Sequence, residues 1–600
     1  MKNRVLLISL AMVLALSVSL IGCDGGDGVT IPYRNDGMFV QQTIGLPETL
    51  DPAAAYDTSS GEQISYAYET LLMYDTTQSE EFVPVLATEW AWNETALTWR
   101  FTIREDVTFH EGGSLTPEDV EYSFERTMIY DRLGGPAWML FEPLLLCGAY
   151  TDLIPGYDPD LGDPTPAELE AAFADVDAAV EVDGDDVVFT LADASYKLIF
   201  LQTIANSWGS ILDKEWCVTN EEWDGTAVDV TDHYQVEDGT THLWNNMNGT
   251  GPWKLNLWNQ AEQIKMEKFD GYWRDLAPFD WVITQLVEEW TLRKQALLAG
   301  DADRVDVPQM YIEELEGIDD LLVLSGLPEL AVVGLFFVLN ITPTSPYIGT
   351  GALDGNGIPG DFFSDEDVRK GFCKAFDYDT FLADVMLGEA IQPGSPVVNG
   401  LFGYNPAADK YSYCSTAAAD HLQNAWGGDV WTNGFKFTLL YNAGNDMRKS
   451  ACDMLAANLF AINNKFQVTV LPLDWGTGIL PLIKTQAATN YVVGWGADYP
   501  HAHNFIYPFM HSNGAYAKFQ GYGNPTLDAK ISAALLEPDP ELQKDKYYEL
   551  QQIFYDDAPG VMLYQPSGRR YFTKYISGFY FNPMIPGDTG PLYDMTKSES

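Results

Sequence analysis

From about residue 250 onward the chain alternates short runs of strand character with amphipathic helical runs, and this alternation constrains the fold more than any other feature. WVITQLV is followed by TLRKQALLAG and then by GLFFVLNI, and helix DVRKGFCKAF precedes strand FKFTLLYN. Helix MRKSACDMLAANLFAI and strands FQVTVLPL and YVVGWG complete the series. Alternation of this kind implies α/β lobes with partly parallel sheets. In such lobes ligands sit in the crevice beyond the carboxyl ends of the strands. The chain has 600 residues, several times a typical domain of about 100–200, so more than one lobe is expected. With 46% hydrophobic residues and 13% aromatics, there is apolar mass for several cores, which rules out global disorder.

The first half carries the same punctuation. Glu62 to Tyr74 (EQISYAYETLLMY) places apolar residues at helical spacing, and LTWRFTIREDVTF (97–109) alternates as a strand does. Gly112-Gly113 makes a turn. Thr116-Pro117-Glu118-Asp119 then opens helix VEYSFERTMIY, with Thr as N-cap, Pro at the first helical position and acids in the first turn. Residues 150–186 form an acidic insertion with one short helix, PAELEAAFADV.

Lys2 and Arg4 precede the apolar run Val5 to Ile21, which ends in Gly22-Cys23. The run is too short and wrongly flanked for a lasting membrane span and reads as an export signal over 1–22. Leu20-Ile21-Gly22-Cys23 resembles a bacterial lipobox, so Cys23 is the expected lipidation site and 23–28, rich in Gly and Asp, the tether. Acyl chains contribute about 0.8 kcal/mol per buried CH₂, enough for several chains to hold the protein at a membrane. The expected location is outside the cytoplasm, at the outer face of the cytoplasmic membrane, as a monomer.

Charge excludes some partners. The chain carries 33 Lys+Arg against 87 Asp+Glu, a net charge of −54, and loss of the leader removes only Lys2 and Arg4. A polyanion repels phosphate backbones, so nucleic acid is not a partner, and charge alone does not hold it to an anionic bilayer. After Cys23, five cysteines remain: Cys147, Cys217, Cys373, Cys414 and Cys452. An odd number leaves at least one free thiol, and a Cys147–Cys217 bridge and a pair among the later three are the expected disulfides. No CxxC exists for zinc.

Enzyme signatures are missing. There is no GxSxG elbow, no P-loop and no GxGxxG opening a helix, and His110-Glu111 lacks the second His of a zinc-protease motif. The abundance of acids makes chance carboxylate pairs worthless as a glycosidase signal. His501 and His503, two apart, share a face if extended and could ligate a metal, but with no third close ligand a Pro/Asn-rich loop with solvent-facing or hydrogen-bonded histidines is the favoured reading. Asp354 to Asp361 (DGNGIPGD) looks like a calcium loop without the terminal Glu of an EF-hand. No cofactor and no catalytic residue is expected.

Leu97 to Val120, LTWRFTIREDVTFHEGGSLTPEDV, resembles the signature of the family 5 extracellular solute-binding proteins, the peptide-binding components of ABC importers. The family usually has His-Asp-Gly-x-Pro where this chain has His110-Glu111-Gly112-Gly113-Ser114. Leu50-Asp51-Pro52, Phe82 to Ala87, Gly249 to Trp253, Tyr272-Trp273, Asp367 to Arg369, Gly494 to Pro500 and Asp557 to Pro559 match in the same order. The resemblance implies an α/β, two-lobe periplasmic-binding-protein fold, hinged, with an extra subdomain on lobe I. It assigns 29–77, 208–331 and 559–600 to lobe I, 78–207 to the extra subdomain and 332–558 to lobe II. The lobes would close on a di- or oligopeptide and deliver it to an ABC permease.

A peptide's charged termini lose water in a closed cleft, so an ammonium there must meet a carboxylate. By resemblance Asp498 is the amine partner, a reading favoured over a helix-capping or turn Asp because strand YVVGW would deliver it to the cleft edge. Trp495 and Trp475 match cleft tryptophans, with Tyr499 beside them. Arg448 or Lys449 suits the ligand carboxylate, and Asp57, Thr58 and Ser59, following Tyr56, line the cleft from lobe I. Alternatives left open are an oligosaccharide or metal chelate on the same frame, a secreted hydrolase, and a surface scaffold.

Overall fold

The computed structural model describes residues 29–158, 162–585 and 592–599; the leader and Cys23 lie outside the described residues. Two α/β lobes are built on separate sheets. The first sheet has seven strands in the spatial order Leu321–Leu327, Gly568–Thr573, Arg304–Val305, Met38–Thr43, Trp281–Leu286, Gln263–Lys268 and Trp253–Asn259. Met38–Thr43 runs parallel to both Trp281–Leu286 and Arg304–Val305, and helix Trp290–Leu298 makes the connection between those two strands. This is the crossover a parallel arrangement requires.

The second sheet, in the order Ala390–Ile391, Gly560–Pro566, Ala331–Phe337 and Asn490–Gly496, is antiparallel. Beside it Phe435–Asn442 and Phe466–Leu473 pair in parallel, joined by helix Asp446–Ile462. The Asn490 side chain ties the two layers: its Oδ1 accepts from Leu440 N at 3.0 Å and its Nδ2 donates to Leu440 O at 3.2 Å. A buried amide thus stands in for a ladder hydrogen bond.

The strand memberships shift two expected crossings. The chain passes from the first sheet to the second between Leu327 and Ala331 and returns between Pro566 and Gly568, not at 559, because Gly560–Pro566 pairs with the second sheet. A third, four-stranded antiparallel sheet (Ala87–Asn93, Thr98–Ile103, Asp186–Thr190, Val180–Asp183) packs with helices Pro117–Tyr130 and Pro166–Asp177.

Local chemistry explains the elements that position the cleft. At the start of Pro117–Tyr130, Asp119 Oδ2 accepts from the Thr116 amide at 2.8 Å and hydroxyl at 2.9 Å, satisfying an orphan donor of the helix end. Further along, buried Arg126 makes a bidentate pair with Asp51 (2.8 and 2.7 Å) and reaches Glu222 at 2.8 Å. That triad clamps the Leu50-Asp51-Pro52 turn, from which the chain runs into the cleft loop. The helix expected across 62–74 spans Thr58–Ala67 instead, and Leu72–Tyr74 is a strand paired with Phe82–Pro84. Tertiary contact ends it. The Ala67 carbonyl accepts from Gly251 N at 2.9 Å, and Gly249 approaches so closely that a Cβ there would lie 2.1 Å from the same oxygen. The glycines of the Gly249 to Trp253 motif serve this approach.

All five described cysteines are free, so neither expected bridge forms. Cys373 donates to Gly560 O at 3.4 Å inside the second lobe, and Cys414 pairs with the Thr416 hydroxyl at 3.3 Å. Cys217 and Cys452 are buried. Cys147 and Cys414 are partly exposed.

Candidate functional site

A cavity of about 750 Å³ opens where the lobes face each other. Segments 55–58 and 206–208 line it from the first lobe side, and 329–333, 442–448 and 493–498 from the second, with Trp475, Tyr516, Arg570 and the stretch 581–585 completing the wall.

Asp498 lies just past the carboxyl end of strand Asn490–Gly496, where α/β folds present ligand groups. It is 8% exposed. Its Oδ2 accepts from Tyr56 Oη at 2.9 Å and Asn504 Nδ2 at 2.8 Å, while its own N–H donates to Asn504 Oδ1 at 2.8 Å. No cationic side chain among the described residues offsets the charge. Burial therefore pushes its carboxyl up to about 7, and the hydrogen bonds from Asn504 and Tyr56 only partly oppose the shift.

Tyr56 links this carboxylate to the other lobe. Its hydroxyl accepts from Trp138 Nε1 at 3.1 Å, and its ring meets Trp208 and Trp495 edge-on at 5.7 and 5.6 Å. Trp138 in turn stacks on Tyr507 at 4.9 Å with a 7° interplanar angle. One turn further along helix Trp138–Leu145, Glu142 Oε2 meets His503 Nε2 at 2.9 Å. Two rungs, i and i+4 on each helix, thus hold the lobes together beside the cavity.

Arg448 enters from helix Asp446–Ile462. Nη1 donates to Asn442 Oδ1 at 2.8 Å and Val492 O at 3.0 Å; Nε is buried without an acceptor. Nη2 passes over Gly494, where a Cβ would lie 3.2 Å away. No carboxylate among the described residues pairs with it, and burial pushes its guanidinium pKa down. Lys449, the next residue, points elsewhere, because successive helical side chains diverge by about 100°. It is half exposed and pairs with Asp453 at 2.6 Å, so of the two cations only Arg448 lines the cavity.

Trp495, Trp475, Asp57 and Thr58 also line the cavity; Ser59 and Tyr499 do not. Tyr499 is 1% exposed and belongs to the core, and Ser59 lies off the wall, within helix Thr58–Ala67. Asp57 is the N-cap of that helix, with Oδ1 accepting from Ser60 N at 2.9 Å. Residues that sequence reasoning missed are Asn504, Trp208, Trp138 and the ion pair of Arg570 with Glu329 (2.9 Å). Trp208, Trp138 and the Arg570–Glu329 pair depend on contacts about 80 to 240 residues apart, whereas Asn504 lies six residues after Asp498 and could have been found as a local Asp–Asn turn pair.

The candidate metal residues are engaged elsewhere. His501 stacks on Phe402 at 5.0 Å and meets Tyr547 at 5.3 Å, and burial pushes its imidazole down to about 3. His503 is held by Glu142, and neither histidine lines the cavity. Asp354 Oδ1 accepts from Asn356 N at 2.8 Å and the Thr350 hydroxyl at 2.9 Å, the pattern of an exposed Asx turn. Among the described residues no three His, Cys, Asp or Glu side chains cluster to hold an ion.

Comparison with known proteins agrees with this architecture. The Escherichia coli protein named "Probable D,D-dipeptide-binding periplasmic protein DdpA" is 23% identical over 548 residues, covering 90% of each chain. Oligopeptide-binding protein AppA of Bacillus subtilis is 21% identical over 97% of both. Among solved structures, AppA in complex with a nonapeptide superposes with a TM-score of 0.73 at 20% identity, covering 94% of this chain and 99% of that one. The Helicobacter pylori periplasmic binding protein DppA in complex with a peptide gives 0.71 at 21% identity, covering 93% and 98%. The profile described as "Bacterial extracellular solute-binding proteins, family 5 Middle" matches residues 81–517. The chain therefore belongs to the family 5 bacterial extracellular solute-binding proteins and has their two-lobe fold.

Proposed function

We propose that this protein captures short peptides by both termini and presents them to an ABC permease. The observation that carries this reading is a pair of buried, opposite charges, Asp498 and Arg448, on one cavity wall, each without a counter-ion among the described residues. A zwitterionic ligand supplies both missing partners, its ammonium to Asp498 and its carboxylate to Arg448. Arg448 touches Gly494, four residues before Asp498; at about 3.3 Å per residue the two sites are separated by up to about 13 Å. That span suits chains of about two to four residues. The volume falls within the roughly 300–1,000 Å³ of small-ligand sites, and relatives with peptide-binding names and peptide-bound neighbours support the ligand class.

Trp495 and Trp475 add apolar surface to the cavity wall, and the edge strand Asn490–Gly496 offers main-chain groups for the peptide's own amides. Closure over the ligand is held by Trp138 on Tyr507 and Glu142 with His503. Lipidation at Cys23 tethers the monomer to the outer face of the membrane beside its permease. Mass spectrometry of small molecules extracted from the purified soluble protein tests the reading. Co-purified peptides of two to four residues are expected; sugars or a metal chelate at stoichiometric occupancy would contradict it.

A further inference from the structure

Five charged side chains line the cavity: Asp57, Glu329, Arg448, Asp498 and Arg570. Arg570 pairs with Glu329 at 2.9 Å. A simple zwitterionic peptide supplies counter-charges to Asp498 and Arg448. Asp57 then remains a cavity carboxylate with no ion-pair partner among the described residues. Its Oδ1 caps helix Thr58–Ala67 through Ser60 N, but its Oδ2 is buried and makes no hydrogen bond among the described residues. One oxygen suffices for the cap. The second is an acceptor held out of water at the cleft wall, a situation that costs free energy until a donor arrives. Burial above all, with the nearby Glu48, raises the affinity of this carboxyl for a proton, while the Ser60 hydroxyl and amide, and more weakly Arg132 from a distance, oppose this. Arg132 is itself engaged by Glu48 and Asp238.

The aromatic surroundings match the same partner. Tyr56, next to Asp57, is flanked by Trp208 and Trp495, and the faces of such rings attract a cation. Rotation about a carboxylate's terminal torsion is soft, so a small turn of Asp57 offers Oδ2 to a ligand.

We propose that Asp57 is a specificity subsite that selects peptides carrying a second cationic group, a lysine or arginine side chain, in addition to the α-ammonium. The inference rests on the peptide reading above. The chain's net charge of −54 enriches every cationic ligand near the surface, but that long-range effect is screened by salt, whereas a desolvated contact is screened much less.

Calorimetric titration of alanyl-lysine, alanyl-glutamine and alanyl-alanine, at about 0.15 M and about 1 M salt, tests it on wild type and Asp57→Asn. Asn is as good an N-cap as Asp, so the variant retains helix Thr58–Ala67, which an unchanged circular-dichroism spectrum checks. Wild type is expected to bind the lysine peptide about tenfold more tightly than the glutamine peptide at both salt concentrations, the scale of one charge-assisted contact. In the Asn variant that ratio narrows to within about twofold. Equal binding of the two peptides by wild type, a preference that vanishes at high salt, or a preference that survives in the variant would overturn the inference while leaving peptide binding intact. If none of the three binds wild type, the peptide reading itself fails, and the subsite with it.

Discussion

Replacing Asp498 by Asn is expected to strengthen the empty protein and disable it as a receptor. The carboxyl titrates near 7 in the folded protein against about 3.9 in an unfolded chain. A carboxyl with a raised folded-state pKa favours the fold fully below about pH 4 and loses that contribution as the pH rises through 7. Three units at 1.36 kcal/mol each put the burden on the empty fold at pH 8 at up to about 4 kcal/mol. Asn keeps an acceptor for Tyr56 and sheds the charge, so the thermal midpoint of the ligand-free variant rises by several degrees at pH 8 and by much less at pH 4. Removing one partner of a buried ion pair costs about 3–5 kcal/mol, so peptide affinity falls about 10²–10⁴-fold. Scanning calorimetry on ligand-free protein, paired with peptide titration, reads both quantities. A variant that binds peptide within about threefold of wild type, or one destabilised equally at both pH values, would refute the reasoning.

Three further outcomes follow from the same geometry. Arg448→Met should weaken a free-acid peptide at least about tenfold and leave its C-terminal amide nearly unaffected, since only the former places a carboxylate at that site; equal losses on titration would reassign the residue to structure. Because 87 acids oppose 33 bases, the thermal midpoint should climb between about 0.1 and about 1 M potassium chloride as the Debye length shrinks from about 10 to about 3 Å, and a flat profile would show that the acidic surface carries no net repulsion. Cys23→Ser, expressed with its leader, should shift the protein from the membrane fraction to the soluble extracytoplasmic fraction; retention on membranes would exclude lipidation as the anchor.

The alternation of strand and helix was legible because each run buries one face, and periodicity reports burial. FKFTLLYN, MRKSACDMLAANLFAI and FQVTVLPL each became the element their pattern implied. The helix across 62–74 was misread because its end is set by Gly249 and Gly251, almost two hundred residues away. The same division runs through the site. Asp498, Trp495 and Arg448, named from the family resemblance, sit in or beside strong local patterns and line the cavity. Trp138 matters only through what folding brings to Tyr56. The choice between Arg448 and Lys449 needed a helical phase good to one residue, and that phase came from the Asn445 cap, whose Oδ1 accepts from Arg448 N at 3.0 Å.

The central claim is that a ligand ammonium completes Asp498. Isothermal titration of one dipeptide and its N-acetylated form into wild-type protein at pH 8 tests it most directly, since acetylation removes the ammonium charge and adds only a small acetyl group. The account predicts a loss of at least about 10²-fold on acetylation. Equal affinities for the two forms would contradict it.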